Sequence, residues 1–487
     1  MKRTAIALGA ALLSTQAHAS GLSAPVIGNS FSSAVGQDPA AVYWNPAMLG
    51  PLLRERQADA YAGLSALYLD VTYDRVRRGD YQYRDSLRFR APVPQDDLDP
   101  TRSGPDEEAR AAGFIPLPAP QLFYSHRIDD EFSLGLGLFV PFGAVLEFDD
   151  GGPQKWALQS VELFAVEAAA AAAWQANDQL SFGVGAGVVG GQLRLRKVVD
   201  LASTPLMARA FADPPIGQPN SFGPNAPSTV RELDALSRPV DIGPGYGLSW
   251  SGRIGVAYAP IPEVQLGAAY IHRVPLVFTG GFALDMNDPL FTEDLVAQGL
   301  RYPAEVNGEA EVEFPLPPSL NLGASWAIDE HWTVALTGSV FFNSVVQDLT
   351  ATLRSNEFVQ PELGLGDSAT VALPRDWSDT WQADARVMYT TDDWFAGGVV
   401  GYHTPASPDS TLDVSSPDGD RVTVAVQGGL ELGKQAWLWG ADLGLVADLH
   451  VQYVLPRENT GSDYDLANGE YTLLLGAISG GIRARFE

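Results

Sequence analysis

Five histidines follow the N-terminal leader: His126, His272, His331, His403 and His450. A Ser–His hydrolase would need one of them beside a serine nucleophile. No G-x-S-x-G and no H-E-x-x-H occurs, and the five are scattered over separate strands and turns. Gly185-Ala186-Gly187-Val188-Val189-Gly190 fits the spacing G-x-G-x-x-G. It lies inside an alternating strand with no helix behind it, so it cannot set a helix N-terminus on a pyrophosphate. Asp418-Gly419-Asp420 suits either a Ca²⁺ loop or solvated loop charge. With no cysteine there is no thiol nucleophile, thiolate metal site or disulfide framework. The residues imply no enzyme and no cofactor.

The stretch 192–197, QLRLRK, offers binding chemistry instead. An amphipathic ligand with an anionic head needs an apolar slot beside a cation. Arg194 and Arg196 share one face; Leu193, Leu195 and Lys197 share the other. Parity traced from Phe182, Val184 and Val188 puts the arginines outward. A bulge at Gly190-Gly191 would turn them in; without one, Lys197 faces in beside the leucines. A rim charge meeting lipopolysaccharide phosphates is the remaining reading.

The elements that must position these residues are strands. The chain has 487 residues, a net charge of −28 and 49 glycines. That charge argues against nucleic acid as a partner. Lys2 and Arg3 precede an apolar run over 5–13 and then Ala17-His18-Ala19, the pattern of a secretory signal peptide over 1–19 cut before Ser20. No later stretch has the roughly 20 apolar residues a transmembrane helix needs. The nearest, 163–174, is too short and holds Glu167.

Period-2 alternation recurs throughout. Tyr246, Leu248, Trp250, Ile254, Val256 and Tyr258 share a face, as do Trp332, Val334, Leu336, Val340 and Phe342, and Trp377, Trp381, Ala383, Val387 and Tyr389. Six short turns, at 128–132, 175–179, 260–264, 328–332, 390–394 and 432–437, alternate with seven longer polar stretches, among them 75–118, 198–245 and 404–419. Thirteen connections imply fourteen strands, beginning near 57, 119, 132, 159, 179, 246, 264, 309, 332, 373, 394, 421, 437 and 471.

A soluble sandwich or propeller would bury the apolar face; a transmembrane barrel turns it to lipid. An even strand number with short turns at one end is the outer-membrane pattern. Trp174, Tyr258, Trp326, Trp332, Tyr389, Trp394 and Trp437 stand at strand ends, where interfacial girdles form. The opposite face carries Arg253, Asp384, Arg386, Asp442, Asp448, Arg483 and Arg485, which a polar lumen tolerates and a sandwich core does not. The expected fold is an all-β, 14-stranded antiparallel transmembrane β-barrel over 57–487. Residues 20–56 alternate poorly and would lie in the lumen as a plug or extend into the periplasm.

One strand breaks its own rules. In 132–148, FSLGLGLFVPFGAVLEF, every even position is apolar or small, yet Pro141 and Gly143 sit inside it. Proline cannot donate to a ladder and glycine weakens a strand. Two readings stand: a kink with lost ladder bonds at Pro141-Phe142-Gly143, or a proline that tops a strand already long enough to span. Gly135 and Gly137 would leave room for the plug.

The plug segment contains SSAVGQDPAAVYWNPAMLG, ending in Asn45-Pro46-Ala47 after Asp38 and Ala40-Ala41. With the stretches 132–150, 326–340, 389–410 and 416–432, it resembles the long-chain fatty acid outer-membrane transporter family (FadL, OMPP1 and TodX-like) over nearly the whole mature chain. The resemblance implies a hatch held by Asn45, Pro46 and Ala47. It implies a lateral opening at Phe139, Pro141, Phe142 and Gly143, through which a hydrophobic solute leaves sideways. It also implies a basic ligand contact in the region of Leu193, Arg194, Leu195, Arg196 and Lys197. An external capture groove would involve Leu201, Leu206, Met207, Phe211, Leu284, Leu290, Phe291 and Leu295. The implied function is passive passage of fatty acids or hydrocarbons through the outer membrane of a Gram-negative cell, by a single chain among lipid and lipopolysaccharide. A passive porin for polar solutes and a non-transporting structural or receptor barrel are the alternatives.

Overall fold

A computed structural model of the chain describes residues 26–76, 107–114, 119–201, 236–294, 296–298, 303–361, 366–435, 438, 440–460 and 467–487. The signal peptide and Trp437 lie outside the described residues. The wall begins with β1 (Ala58–Arg75), β2 (Glu107–Phe114), β3 (Ala119–Arg127), β4 (Phe132–Glu147), β5 (Ser160–Asn177), β6 (Leu180–Asp200) and β7 (Ser237–Ile261). It continues through β8 (Val264–Ile271), β9 (Val274–Asp285), β10 (Glu305–Leu316), β11 (Ser319–Ala327), β12 (Trp332–Phe341) and β13 (Asp348–Arg354). It ends with β14 (Ser368–Pro374), β15 (Thr380–Thr390), β16 (Trp394–His403), β17 (Arg421–Gln435), β18 (Ala441–Asn459) and β19 (Gly469–Phe486).

These segments form fourteen wall strands, because five successive pairs run end to end. β2 and β3 both pair with β1, and β8 and β9 both with β7. β10 and β11 then line up on β9 and β8, β12 and β13 on β11 and β10, and β14 and β15 on β13 and β12. The last strand closes on the first, from Ala58 opposite Phe486 to Arg75 opposite Gly469. The 14-stranded antiparallel barrel expected from alternation is the fold observed.

The interruptions have a physical sense. β8, β11, β12 and β15 are 8, 9, 10 and 11 residues long and adjoin the short turns, β8 and β12 starting there and β11 and β15 ending there. That is about the 9–11 residues a tilted strand needs to cross a bilayer. β9, β10, β13 and β14 carry the wall on beyond the membrane. Several strands therefore extend into stretches that polarity marks as loops: the second wall strand starts at 107 rather than 119, and β7 at 237 rather than 246.

The outer face is apolar where lipid lies: Leu136, Val184, Leu248, Ile254, Leu336, Val424 and Ile482 are exposed. Around the short-turn end, Tyr389 packs between Trp332 and Trp394 at 4.8 and 5.4 Å, and Trp174 stacks on Phe182 at 6.0 Å. Trp377 does not share the outward face of Trp381 as its parity suggested. It is buried, because the break over 375–379 separates it from the regular alternation of β15.

The interior is of two kinds. Residues 26–57 lie within the lower, short-turn half. A smaller apolar cluster there joins Val42, Met48 and Leu49 to Phe123, Phe139 and the inward alanines of β5. Above it, a larger cluster lines the lumen from Phe142 and Phe314 up to Leu195, Leu284, Phe291 and Leu473. The polar lumen expected from Arg253, Asp384, Arg386 and Asp448 holds in the lower half. The upper half adds an apolar column, because its wall stands in water and turns its hydrophobic face inward, beside buried charges such as Lys197, Arg375 and Arg421.

Candidate functional site

The N-terminal segment is bonded to the wall on all sides. Ser30 donates from its N–H and hydroxyl to Asp448 at 2.8 and 2.7 Å, and Arg386 donates to the Ser30 and Ser32 carbonyls at 3.1 and 3.0 Å. Arg483 reaches the Gln37 carbonyl at 2.9 Å while paired with Asp59. Pro46 opens a short 3-10 turn, Pro46–Met48, and the Asn45 carboxamide caps it by accepting the Ala47 N–H at 3.2 Å. The Asn45 amide donates to the Ala34 carbonyl at 2.8 Å and to the Val256 carbonyl of β7 at 3.1 Å. Wall glycines admit this close approach. A Cβ at Gly135 would stand 2.5 Å from Val42, and one at Gly183 would collide with the backbone of Pro46 and Ala47. Without side chains these positions let backbone approach backbone.

The anomaly in β4 is a bulge. Phe139 stands opposite Glu167 and Phe142 opposite Ala165, so β4 carries one residue more than β5 between those rungs. The expected single apolar face over 132–148 is therefore corrected. Leu134, Leu136 and Leu138 face lipid, but after the bulge Phe142, Ala144 and Leu146 face in. On the other side the ladder to β3 stops at Leu122–Leu138. Above it β2 pairs with β1, and among the described residues no ladder joins β2 to β4. A cleft of ≈ 450 Å³ opens between residues 110–114 of β2 and 145–149. Pro141 is nine residues above Phe132, about 30 Å along the strand, and tilt places it near the outer edge of the hydrocarbon. A proline topping the strand is overturned, since β4 runs on to Glu147.

Inside the wall at this level is a cavity of ≈ 100 Å³ that touches Pro141, Tyr43, Leu316, Phe341, Thr380 and His403. Phe142 packs on Phe314 at 5.3 Å and Phe314 on Phe278 at 6.2 Å, so an aromatic run leads upward from the bulge.

In the stretch 192–197, the ladder to β5 runs unbroken through Gly190 and Gly191, so the bulge that would turn the arginines inward is absent there. Arg194 faces out. Arg196 lies 3.4 Å from both Asp150 and Asp241. Leu193, Leu195 and Lys197 face in and are buried. Leu201, Leu284, Leu290 and Phe291 are likewise buried in the interior apolar column, which corrects an exposed external groove at those positions. Leu206, Met207, Phe211 and Leu295 lie outside the described residues.

One other expectation changes. Asp418 is not solvated: it accepts the N–H groups of Ala406, Ser407 and Gly419 at 2.6, 3.0 and 2.9 Å and organises a buried strap over 404–420. No group of three metal-binding side chains occurs among the described residues. His403 sits by the Thr380 hydroxyl at 3.1 Å; His450 lies 3.1 Å from Gln452 and 3.4 Å from the Ser30 hydroxyl, which donates to Asp448, so the acid bonds the serine and not the imidazole. What the sequence concealed is a buried ion pair between Glu167 and Arg253, beside Ser251. A lone acid in a run of alanines and an arginine on the lumen face were its signals, with nothing to connect them.

A closed barrel of fourteen strands, short turns at one end, an apolar belt and a filled lower lumen define an outer-membrane β-barrel protein. The chain belongs to the outer membrane protein transport protein family (OMPP1/FadL/TodX), whose profile matches residues 4–460. It is 23% identical over 440 residues to the long-chain fatty acid transport protein of Escherichia coli O6:H1, covering 86% of this chain and 85% of that one. Its fold matches the crystal structure of a Pseudomonas aeruginosa FadL homologue with a TM-score of 0.72 at 19% identity, over 96% of this chain and 100% of that one. The Ralstonia pickettii toluene transporter TbuX matches with a TM-score of 0.60 at 17% identity, over 94% and 96%.

Proposed function

We propose that this chain passes hydrophobic small molecules, long-chain fatty acids or hydrocarbons, across the outer membrane by diffusion, with exit sideways through the wall at the β4 bulge. The observation that carries this reading is the apolar interior column that descends to Phe142 beside the unladdered edge of β4. Such a lining takes an apolar solute from water favourably, at roughly 25 cal/mol per Å² buried. Below it the lumen is polar and occupied by 26–57, which acts as a hatch seated by Asn45, Pro46 and Ala47. Lys197, buried among Leu193 and Leu195, is placed to meet an anionic head.

A polar-solute porin would want a water-filled lumen without this plug. Cells lacking their own transporter and expressing this chain should take up labelled oleate or toluene several times faster than cells with an empty vector. Uptake of a polar sugar at the same expression level should not change. Sugar uptake without hydrophobic uptake would establish the porin instead, and neither would establish a non-transporting barrel.

A further inference from the structure

Three histidines mark the edges of the membrane. His126 and His331 lie at the short-turn end, and both ring nitrogens of each meet protein. His126 has the Tyr124 hydroxyl 3.2 Å from Nδ1 and the Gln57 amide 3.4 Å from Nε2. His331 has the Thr390 carbonyl 3.0 Å from Nδ1 and Glu330 3.8 Å from Nε2. His272, at the opposite edge, differs. The Tyr270 hydroxyl lies 3.2 Å from its Nδ1, and no described residue bonds its Nε2. A hydroxyl that donates to Nδ1 leaves the ring proton on Nε2. The ring is also held flat against Trp250 of β7, with centroids 5.4 Å apart and planes 26° apart.

His272 and Arg273 form the step between β8 and β9. Counted from Val264 at the short turn they are the ninth and tenth residues, where a tilted strand leaves the hydrocarbon. The neighbouring strand explains the step. Leu316 pairs with Val274 and Ser319 with Ile271, so Pro317 and Pro318 stand opposite. Proline has no N–H to give, and the ladder lapses for two residues. Adjacent residues of an unbroken strand face opposite sides. Here Ile271 before the step and Val274 after it both face in, and both side chains of the step are exposed on the outside. A ring N–H and a guanidinium therefore stand side by side.

Arg273 has no counter-charge. Most outward arginines of the upper wall have one, in a chain of net charge −28. Arg110 is 2.6 Å from Asp70, Arg196 3.4 Å from both Asp150 and Asp241, Arg354 3.8 Å from Glu311 and Arg457 2.7 Å from Asp409. Arg194 forms no ion pair among the described residues, but Glu162 stands opposite it in the ladder. The residues across from Arg273, Leu316 to Ser319, carry no charge.

Below the step the wall offers hydrocarbon: Ile254, beside Tyr270 in the ladder, and Leu266 are both exposed. A ligand that fits this surface has apolar chains along the wall and an anion at the membrane edge. A guanidinium presents a planar fork of donors, and the imidazole N–H adds another. Such a set suits the three oxygens of a phosphate better than the two of a carboxylate.

We propose that His272 and Arg273 bind the phosphate of a phosphorylated lipid in the outer leaflet, with Tyr270 and Trp250 as the positioning residues that hold the imidazole. β5 and β6 separate this site from the β4 bulge, and it does not depend on what passes through the barrel.

Native mass spectrometry of the detergent-solubilised full chain, titrated with doubly phosphorylated lipid A, tests it. His272→Ala/Arg273→Ala should bind this lipid roughly tenfold or more weakly, because charge-assisted donors to phosphate are lost. Tyr270→Phe removes the hydroxyl that fixes the ring proton and should weaken binding about threefold, the scale of one hydrogen bond. Arg194→Ala removes an outward charge from the neighbouring strand and should bind as the parent does. Lipid A stripped of its phosphates should bind parent and variants alike, more weakly than the phosphorylated lipid binds the parent. Millimolar inorganic phosphate should not compete. Parent affinity in a double variant that keeps its resistance to SDS, or in Tyr270→Phe where the double variant does not fold, overturns the site. An equal loss in Arg194→Ala reduces the effect to diffuse charge and overturns it as well. Competition by inorganic phosphate, or binding that ignores the phosphates of the lipid, overturns the phosphorylated lipid as the ligand.

Discussion

Phe139 and Phe142 both point into the barrel although they are three positions apart in one strand. In regular strand geometry residues three apart face opposite sides. The extra residue between them resolves the conflict: the strand slips one place against β5, and each phenylalanine closes one of the two interior clusters. The same slip ends the ladder to the neighbouring strand on the other side. A local shift in parity thus produces both a change of interior surface and a gap in the wall.

Closing that gap should stop transport without unfolding the barrel. Pro141→Val restores an N–H and a strand-forming side chain. A Cβ at Gly143 would meet nothing nearer than 3.6 Å, so Gly143→Val is accommodated. The double variant should keep its resistance to SDS before boiling and lose at least tenfold in whole-cell uptake of oleate or toluene. Parent-rate uptake by the folded variant would show that solute leaves by another path.

Asn45→Ala should loosen the hatch. The substitution removes the cap on Ala47 and the bonds to the Ala34 and Val256 carbonyls, in a side chain that is wholly buried. Leaving such groups unpaired costs about 1–3 kcal/mol. The N-terminal segment should become more sensitive to protease while the wall remains resistant, and hydrophobic uptake should fall. A segment as resistant as the parent's, with parent uptake, would reduce Asn45 to a packing residue.

These features were unequally legible in the sequence. Alternation is local, so the wall, its closure and the outward faces of Leu248 and Ile482 could be read directly. Parity carried from Phe182 also placed Arg194 outward and Lys197 inward, because from Phe182 to Arg196 that strand has no slip on its β5 side. The same arithmetic failed beyond Phe139, where the bulge shifts it. Polarity misled in the upper wall, since residues such as those at 237–245 face water outside and read as loop. The strap over 404–420 is polar because its serines and aspartates bond one another in the interior. Ser30 and Asp448, or Arg253 and Val42, lie hundreds of residues apart, and no spacing rule connects them.

Lys197 offers a test of substrate class. It is buried on the inner face between the leucines at 193 and 195 and the extracellular strap. A charge-assisted bond to a carboxylate contributes about 1.5–3 kcal/mol. Lys197→Met should therefore weaken binding of oleate by roughly 10–100-fold, at about 1.4 kcal/mol per tenfold, and leave binding of toluene within twofold. Calorimetry on the purified proteins reads both. Equal losses for the two solutes would mean that the lysine shapes the column and recognises no head group.

The strap carries a prediction with a definite pH sign. Burial works against the charged form of Asp413, but Arg375 at 3.1 Å and the hydroxyl and N–H of Ser415 outweigh it and hold the carboxyl below the usual aspartate range. A depressed folded value means that the contribution is present above the unfolded value near 3.8 and is lost as the pH falls through the folded one. The parent strap should stay docked from neutral pH down to about 4 and loosen only in stronger acid. Arg375→Met removes the partner and leaves burial to dominate, so the folded value rises above the unfolded one and the sign reverses. That strap should open at least tenfold more often at pH 7, since an uncompensated buried charge costs about 3–5 kcal/mol, and tighten as acid neutralises Asp413. Proteolysis of 404–420 between pH 7 and pH 4 should give a flat curve for the parent and a falling one for the variant. A variant that does not tighten over that range would show that Arg375 does not hold the Asp413 charge.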